Sequence, residues 1–154
     1  MKRDSRLSGV LHVLLHMAEG GGHAVTSEAL AKVMRTNPVV VRRILSGLRE
    51  AGWVRSERGH GGGWTVASDL SRISLRDVYD ALGEPSLLSI GNRTDAPDCV
   101  VEQAVNAALD EAFHAAKELL LQRLGEVSLA ALREDFSRRL AKRRDAGSLE
   151  AAHG

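Results

Sequence analysis

One stretch in the first half, residues 36–67, constrains the fold more than any other part of this sequence. Thr36-Asn37-Pro38 is a helix start: Asn37 has the side chain of an N-cap, and Pro38 has the fixed φ that suits a first helical position. The helix is expected over about 37–51, with Val41, Ile44, Leu45 and Leu48 on its buried stripe and Gly52 after its end. Residues 53–57 then alternate as a strand, Gly59-His60-Gly61-Gly62-Gly63 makes a turn, and Trp64-Thr65-Val66-Ala67 returns as a second strand, a hairpin over about 53–67. Two helices precede this unit. Leu7, Val10, Leu11, Leu14, Leu15 and Ala18 recur at helical spacing over 5–18, and Gly20-Gly21-Gly22 stops that helix. A second helix, capped by Thr26 or Ser27, carries Leu30, Val33 and Met34. The order helix, helix, helix, hairpin is that of a winged helix-turn-helix. The fold class expected is mainly α with a small β-hairpin wing.

The second half reads differently. Ser74 and Asp77 have capping-box spacing and open a short helix through Tyr79 and Leu82. Residues 83–98 hold Gly83, Pro85, Gly91 and Pro97 and read as a linker. Asp98 is the expected cap of a long helix whose apolar positions are Val101, Val105, Ala108, Leu109, Ala112, Phe113, Ala116, Leu119 and Leu120. A stripe of that length is too long to bury against one small domain, so a helix of a second chain is its natural partner. A last helix follows Ser128 with Leu129, Leu132, Phe136 and Leu140 in line. The division expected is a winged helix-turn-helix over 1–70, linker and dimerisation helices over 71–146, and a flexible tail over 147–154.

Composition narrows the function. The net charge is only +1, but residues 1–66 carry +5 and residues 67–154 carry −4, so the first half is the one suited to a polyanion. Five aromatic residues are too few for a base-stacking platform. No apolar run approaches the roughly 20 residues of a membrane span, and the start lacks a secretory pattern. The single cysteine, Cys99, cannot form an intrachain disulfide and favours a cytoplasmic location.

Opposite the core stripe of the capped helix lie Val39, Val40, Arg42, Arg43 and Ser46. Arginine can bridge guanine O6 and N7 or reach a phosphate, and a valine can touch a thymine methyl. Alone, this could equally be a solvated face. The hairpin beside it changes the weighting, because Arg58 and His60 offer donors to a minor groove or its phosphates, and Gly61 and Gly62 let the backbone come close. The glycines are not a nucleotide-binding loop, since the Lys–Ser/Thr ending is missing and a strand follows where a helix should. Thr26, Ser27, Asn37 and Trp64 complete the candidate DNA-binding set.

In Thr26-Ser27-Glu28-Ala29-Leu30-Ala31, in the helix from Val41 to Ala51, in Arg55-Ser56-Glu57-Arg58-Gly59 with Gly62-Gly63-Trp64, and in Ile73-Ser74-Leu75-Arg76-Asp77-Val78-Tyr79, the chain resembles the Rrf-two (Rrf2) family of bacterial transcription regulators, which includes IscR-, NsrR- and CymR-like proteins. The resemblance covers roughly residues 5–124, and Trp64 stands where members usually have tyrosine. Residues 36–43 and 106–111 are especially similar to the cluster-free, YwnA-like subgroup. The resemblance implies a dimer whose long helix crosses the partner subunit. Cluster-binding relatives place three cysteines in the linker region. Cys99 alone does not carry that site over, so no cofactor is expected.

Three features stay open at the level of sequence. Cys99, at the start of the long helix, is either inert, a redox-reactive thiol or a metal ligand. His12 and His16 share a helical face at a spacing that can bind metal, although packing at an interface is the simpler reading. Residues 137–144 hold five basic side chains, either an aid to DNA attraction or a solvated helix end. The function expected is a dimeric, sequence-specific DNA-binding regulator, a repressor acting on a pseudo-palindromic operator, with double-stranded DNA, a second copy and an unidentified effector or oxidant as partners and no membrane. The alternative is a winged-helix protein-interaction module without specific DNA binding. No nucleophile–base pair or nucleotide loop supports an enzyme.

Overall fold

The computed structural model describes residues 5–88, 90–95 and 98–152, with the backbone alone for 147–152. Helix α1 (Arg6–Glu19) buries Val10, Val13, Leu14 and Met17. Its end is closed by the Gly20 N–H donating to Met17 O, and Gly21 and Gly22 follow at φ 62° and 86°, where a side chain would be strained. Helix α2 (Ser27–Met34) is capped by Thr26, whose Oγ1 accepts the Ala29 N–H at 3.2 Å. Helix α3 (Pro38–Glu50) is capped by Asn37, whose Oδ1 accepts the Val39 N–H at 2.8 Å. Its buried stripe is Val41, Leu45 and Leu48.

Strands β1 (Val54–Glu57) and β2 (Gly63–Val66) pair antiparallel, Val54 opposite Val66 and Glu57 opposite Gly63. The hairpin is also tied to the segment before α2: Val25 and Trp64 exchange both backbone hydrogen bonds at 2.9 Å. That approach requires glycine at 63, because a Cβ there would lie 2.8 Å from the Val25 carbonyl oxygen.

A short 3₁₀ turn (Leu70–Arg72) leads to α4 (Leu75–Ala81), opened by the expected capping box of Ser74 and Asp77. Helices α5 (Val100–Gly125) and α6 (Leu129–Ala152) follow. The core crosses the boundary expected at residue 70. Ile73, Val78 and Leu129 join Val13, Leu30 and Leu45 in one cluster. The start of α6 is held there by Leu129 N–H donating to Ile73 O at 2.8 Å, and Arg133 bridges to Glu19 of α1 at 2.9 Å.

One expectation is corrected. The cap position of α5 is Cys99, not Asp98, and no side chain caps it. The backbone of α6 is helical through 152. One glycine at 147 costs a helix about 1 kcal/mol, and the Leu, Glu and Ala that follow are good helix formers. The linker, apart from residues 89, 96 and 97, which lie outside the described residues, folds back on α5. Asn106 Nδ2 donates to Thr94 O at 2.7 Å, and Asn92 Nδ2 to Asp110 at 2.8 Å.

Candidate nucleic-acid interface

Caps and core together decide what α3 shows to solvent. With Val41, Leu45 and Leu48 turned inward, Val39 and Val40 stand 64% and 47% exposed, large apolar side chains that a folded monomer leaves in water. Arg42 and Arg43 are exposed beside them, and Ser46 is half-buried. The two arginines differ. Arg42 Nη2 donates to Glu28 Oε1 of α2 at 2.7 Å, and this bond holds the Glu28 carboxyl below the usual carboxylate range. Among the described residues Arg43 has no ion-pair partner. Asn37 is exposed, but its carbonyl oxygen is already committed to the cap.

At the wing, Arg58, His60 and Gly61 are exposed. Gly62 is the position the turn cannot change: a Cβ there would sit 2.4 Å from Glu57 O. Two residues expected at the DNA surface make contacts within the fold. Ser27 is buried, and its hydroxyl accepts the Trp64 indole N–H at 3.1 Å. Trp64 is half-buried, with the Arg49 guanidinium 5.9 Å from its ring centroid. Both hold the wing against α2 and α3 from behind. Thr26 likewise spends its hydroxyl on the α2 cap.

Sequence reasoning missed Glu28 and Arg49. Each acts across two elements: Glu28 ties α2 to α3, while Arg49 reaches both Trp64 and, at 3.5 Å, the Ser56 hydroxyl of β1. Glu28 stands inside the segment Thr26 to Ala31, and its charge, opposite in sign to two arginines of α3, was the signal available.

Helix α5 has two faces. Asn106 and Leu121 are buried, and Phe113 is half-buried in a cavity of about 270 Å³ shared with Tyr79, Leu87 and Leu88, so Phe113 belongs to the chain's own side. Val101, Val105, Leu109, Leu119 and Leu120 stay exposed, Val101 at 72%, as do Ala108, Ala112 and Ala116.

His12 and His16 stack with centroids 4.8 Å apart and share one hydrogen bond between their Nε2 atoms at 2.9 Å. With Leu15 they flank Phe136 of α6, and burial, then His12, push the His16 pKa down. Cys99 is exposed, and the backbone N–H groups of Glu102 and Val101 pull its thiol down. Among the described residues no three His, Cys, Asp or Glu side chains converge as a metal site. An iron–sulfur cluster needs four protein ligands as a rule, and this donor set does not fit one. Arg138 and Arg139 of the basic segment both bridge to Asp135, at 3.1 and 2.6 Å. No helix among the described residues is long and apolar enough to cross a membrane.

Residues 3–135 match the family model described as Rrf2, an iron-dependent transcriptional regulator. YwnA of Bacillus subtilis, classed by inference among HTH-type transcriptional regulators, is 34% identical over 128 residues, 82% of this chain and 92% of YwnA. A crystal structure of a protein classed by inference as DNA-binding is 31% identical, with a TM-score of 0.65 over 83% of this chain and 98% of that one. The fold also matches a crystal structure from Lactobacillus plantarum at 24% identity, with a TM-score of 0.73 over 92% and 98% of the two chains.

Proposed function

The chain belongs to the Rrf2 family of transcriptional regulators, and we propose that it works as a symmetric dimer that represses by occupying a pseudo-palindromic operator. In this reading α3 enters the major groove with Val39, Val40, Arg42, Arg43 and Ser46, and the wing reaches the adjacent minor groove with Arg58, His60 and the glycines. The observation that carries it is the corner where α2, α3 and the wing meet. There Trp64, Ser27 and Arg49 are spent on rigidity, which leaves the basic and apolar side chains of α3 and the wing tip facing water. The exposed stripe of α5 is the dimer face, and two-fold symmetry then places the half-sites about one helical turn, roughly 34–36 Å, apart. Residues up to about 70 supply the DNA face and 71–146 the assembly, with the starts of α4 and α6 serving both. A regulator that acts on DNA belongs in the cytoplasm. Cys99 can respond to an oxidant, and that response would be lost in Cys99→Ser.

The test is a mobility-shift titration of the wild type and an Arg42/Arg43/Arg58 triple alanine variant on a duplex selected from a random library. Base and phosphate contacts of the three arginines together are worth about 3 kcal/mol or more, so the variant should lose at least a hundredfold in affinity. Unchanged affinity refutes the assignment. A flat response of duplex binding to salt would favour a protein-interaction module instead.

A further inference from the structure

Glu28 stands at an unexpected place for an acid. It lies in the first turn of α2, on the side from which α3 presents its arginines, and it is exposed. A carboxylate brought close to a phosphate backbone is repelled, so its presence has to be compensated. Its partner is Arg42, and the pair bridges 14 residues of sequence at 2.7 Å with both side chains more than half exposed. As a contribution to stability such an exposed pair is worth little, because solvent screens it. Its geometry has more consequence than its energy.

A guanidinium carries five N–H groups in a planar fork. The Glu28 bond uses an N–H of Nη2, and the other donors have no partner among the described residues. An arginine so held can present two parallel N–H groups to a base edge without first giving up its rotamer freedom, and it can keep the carboxylate while it does so. An arginine that swings out to a phosphate instead abandons Glu28 beside the polyanion. The neighbouring Arg43, with no ion-pair partner among the described residues, has neither constraint.

We propose that Glu28 is a positioning residue for specificity: it aims Arg42 at a base edge and penalises docking on DNA that offers Arg42 only phosphates. This rests on α3 being the helix that enters the groove. The two adjacent arginines then do different work, Arg42 reading sequence and Arg43 adding affinity for any duplex. The penalty is built from repulsion, and specificity often requires such an element as well as new attraction.

The experiment measures affinity for the duplex selected by the wild-type protein and for a scrambled duplex of equal length and composition. It uses wild type, Glu28→Gln, Arg42→Ala and the double variant, each over a salt series. Glu28→Gln is expected to bind the scrambled duplex several-fold more tightly and to lose about tenfold of the selected-to-scrambled ratio, the size of one base contact. Its scrambled-duplex salt slope should steepen by about 0.9, one added phosphate contact. In the Arg42→Ala background the same change should leave the ratio where it is. A ratio unchanged by Glu28→Gln, or lowered equally with Arg42 absent, overturns the role of Glu28 and leaves the DNA-binding reading intact. A wild type with no preference for its selected duplex overturns both.

Discussion

The winged half and helix α5 draw on similar apolar residues and end in opposite states. Leu14, Leu30, Leu45 and Val78 are all at 0–1% exposure, closed over by α1, α2, α3 and α4 of one chain. Val101, Val105 and Leu119 are at 72%, 50% and 56%. The difference follows from geometry. Four shorter helices and a hairpin can surround a common centre, whereas a helix of 26 residues extends past its own domain and has two sides, of which the chain covers one. A closed core makes a fold that is complete within one chain. An open stripe makes one that is complete only against another surface, and exposed apolar area of this kind marks an interaction site.

The sharpest way to break that contrast is to cut each side. Leu45→Ala removes a fully buried side chain beneath the α3 face and should cost about 2–5 kcal/mol in urea unfolding. A cost under 1 kcal/mol would mean the core tolerates collapse there. Val105→Asp with Leu119→Asp should behave differently. Far-UV circular dichroism should show an intact helical chain, while sedimentation equilibrium should show the proposed dimer weakened roughly a hundredfold or more, because an unpaired charge would be buried at its interface. If the variant still associates as the wild type does, the stripe is not the dimer face.

The same contrast explains what the residues could say in advance. Signals contained within a few positions were readable: Asn37-Pro38 for α3, Ser74 with Asp77 for α4, the glycines around the wing. Hydrophobic spacing separated the core stripe of α3 from its outer face because one side of that helix is covered and the other is not. Across α5 the same spacing found the apolar positions but could not divide them. Phe113 and Leu109 are equivalent as letters, yet Phe113 faces Tyr79 and the linker while Leu109 faces water. Pairs made by folding were invisible too. Trp64 and Ser27 are 37 residues apart, and Glu28 and Arg42 are 14 apart, so neither periodicity nor capping rules reach them. The bond between Ser27 and Trp64 ties the wing to α2, and nothing local to either residue announces it.

The smallest effect lies where α6, not α5, packs on the winged half, at the α1–α6 seam. His16 sits there beside His12 of its own helix and Phe136 across from it, and its pKa is pushed below 6.5, first by burial and then by His12. The folded chain therefore binds a proton at His16 less readily than the unfolded chain. Stability from this site is complete above pH 6.5, where both states are neutral, and falls away as the pH drops from there through the depressed folded value. Both histidines remain in contact with solvent, so screening keeps the change small. Urea midpoints measured between pH 7.5 and about 5 should decline in the wild type, and part of that slope should vanish in His16→Gln, which cannot take up the proton. An identical slope in the variant would assign the acid sensitivity to other groups, and the seam would then be a packing contact whose strength does not depend on protonation.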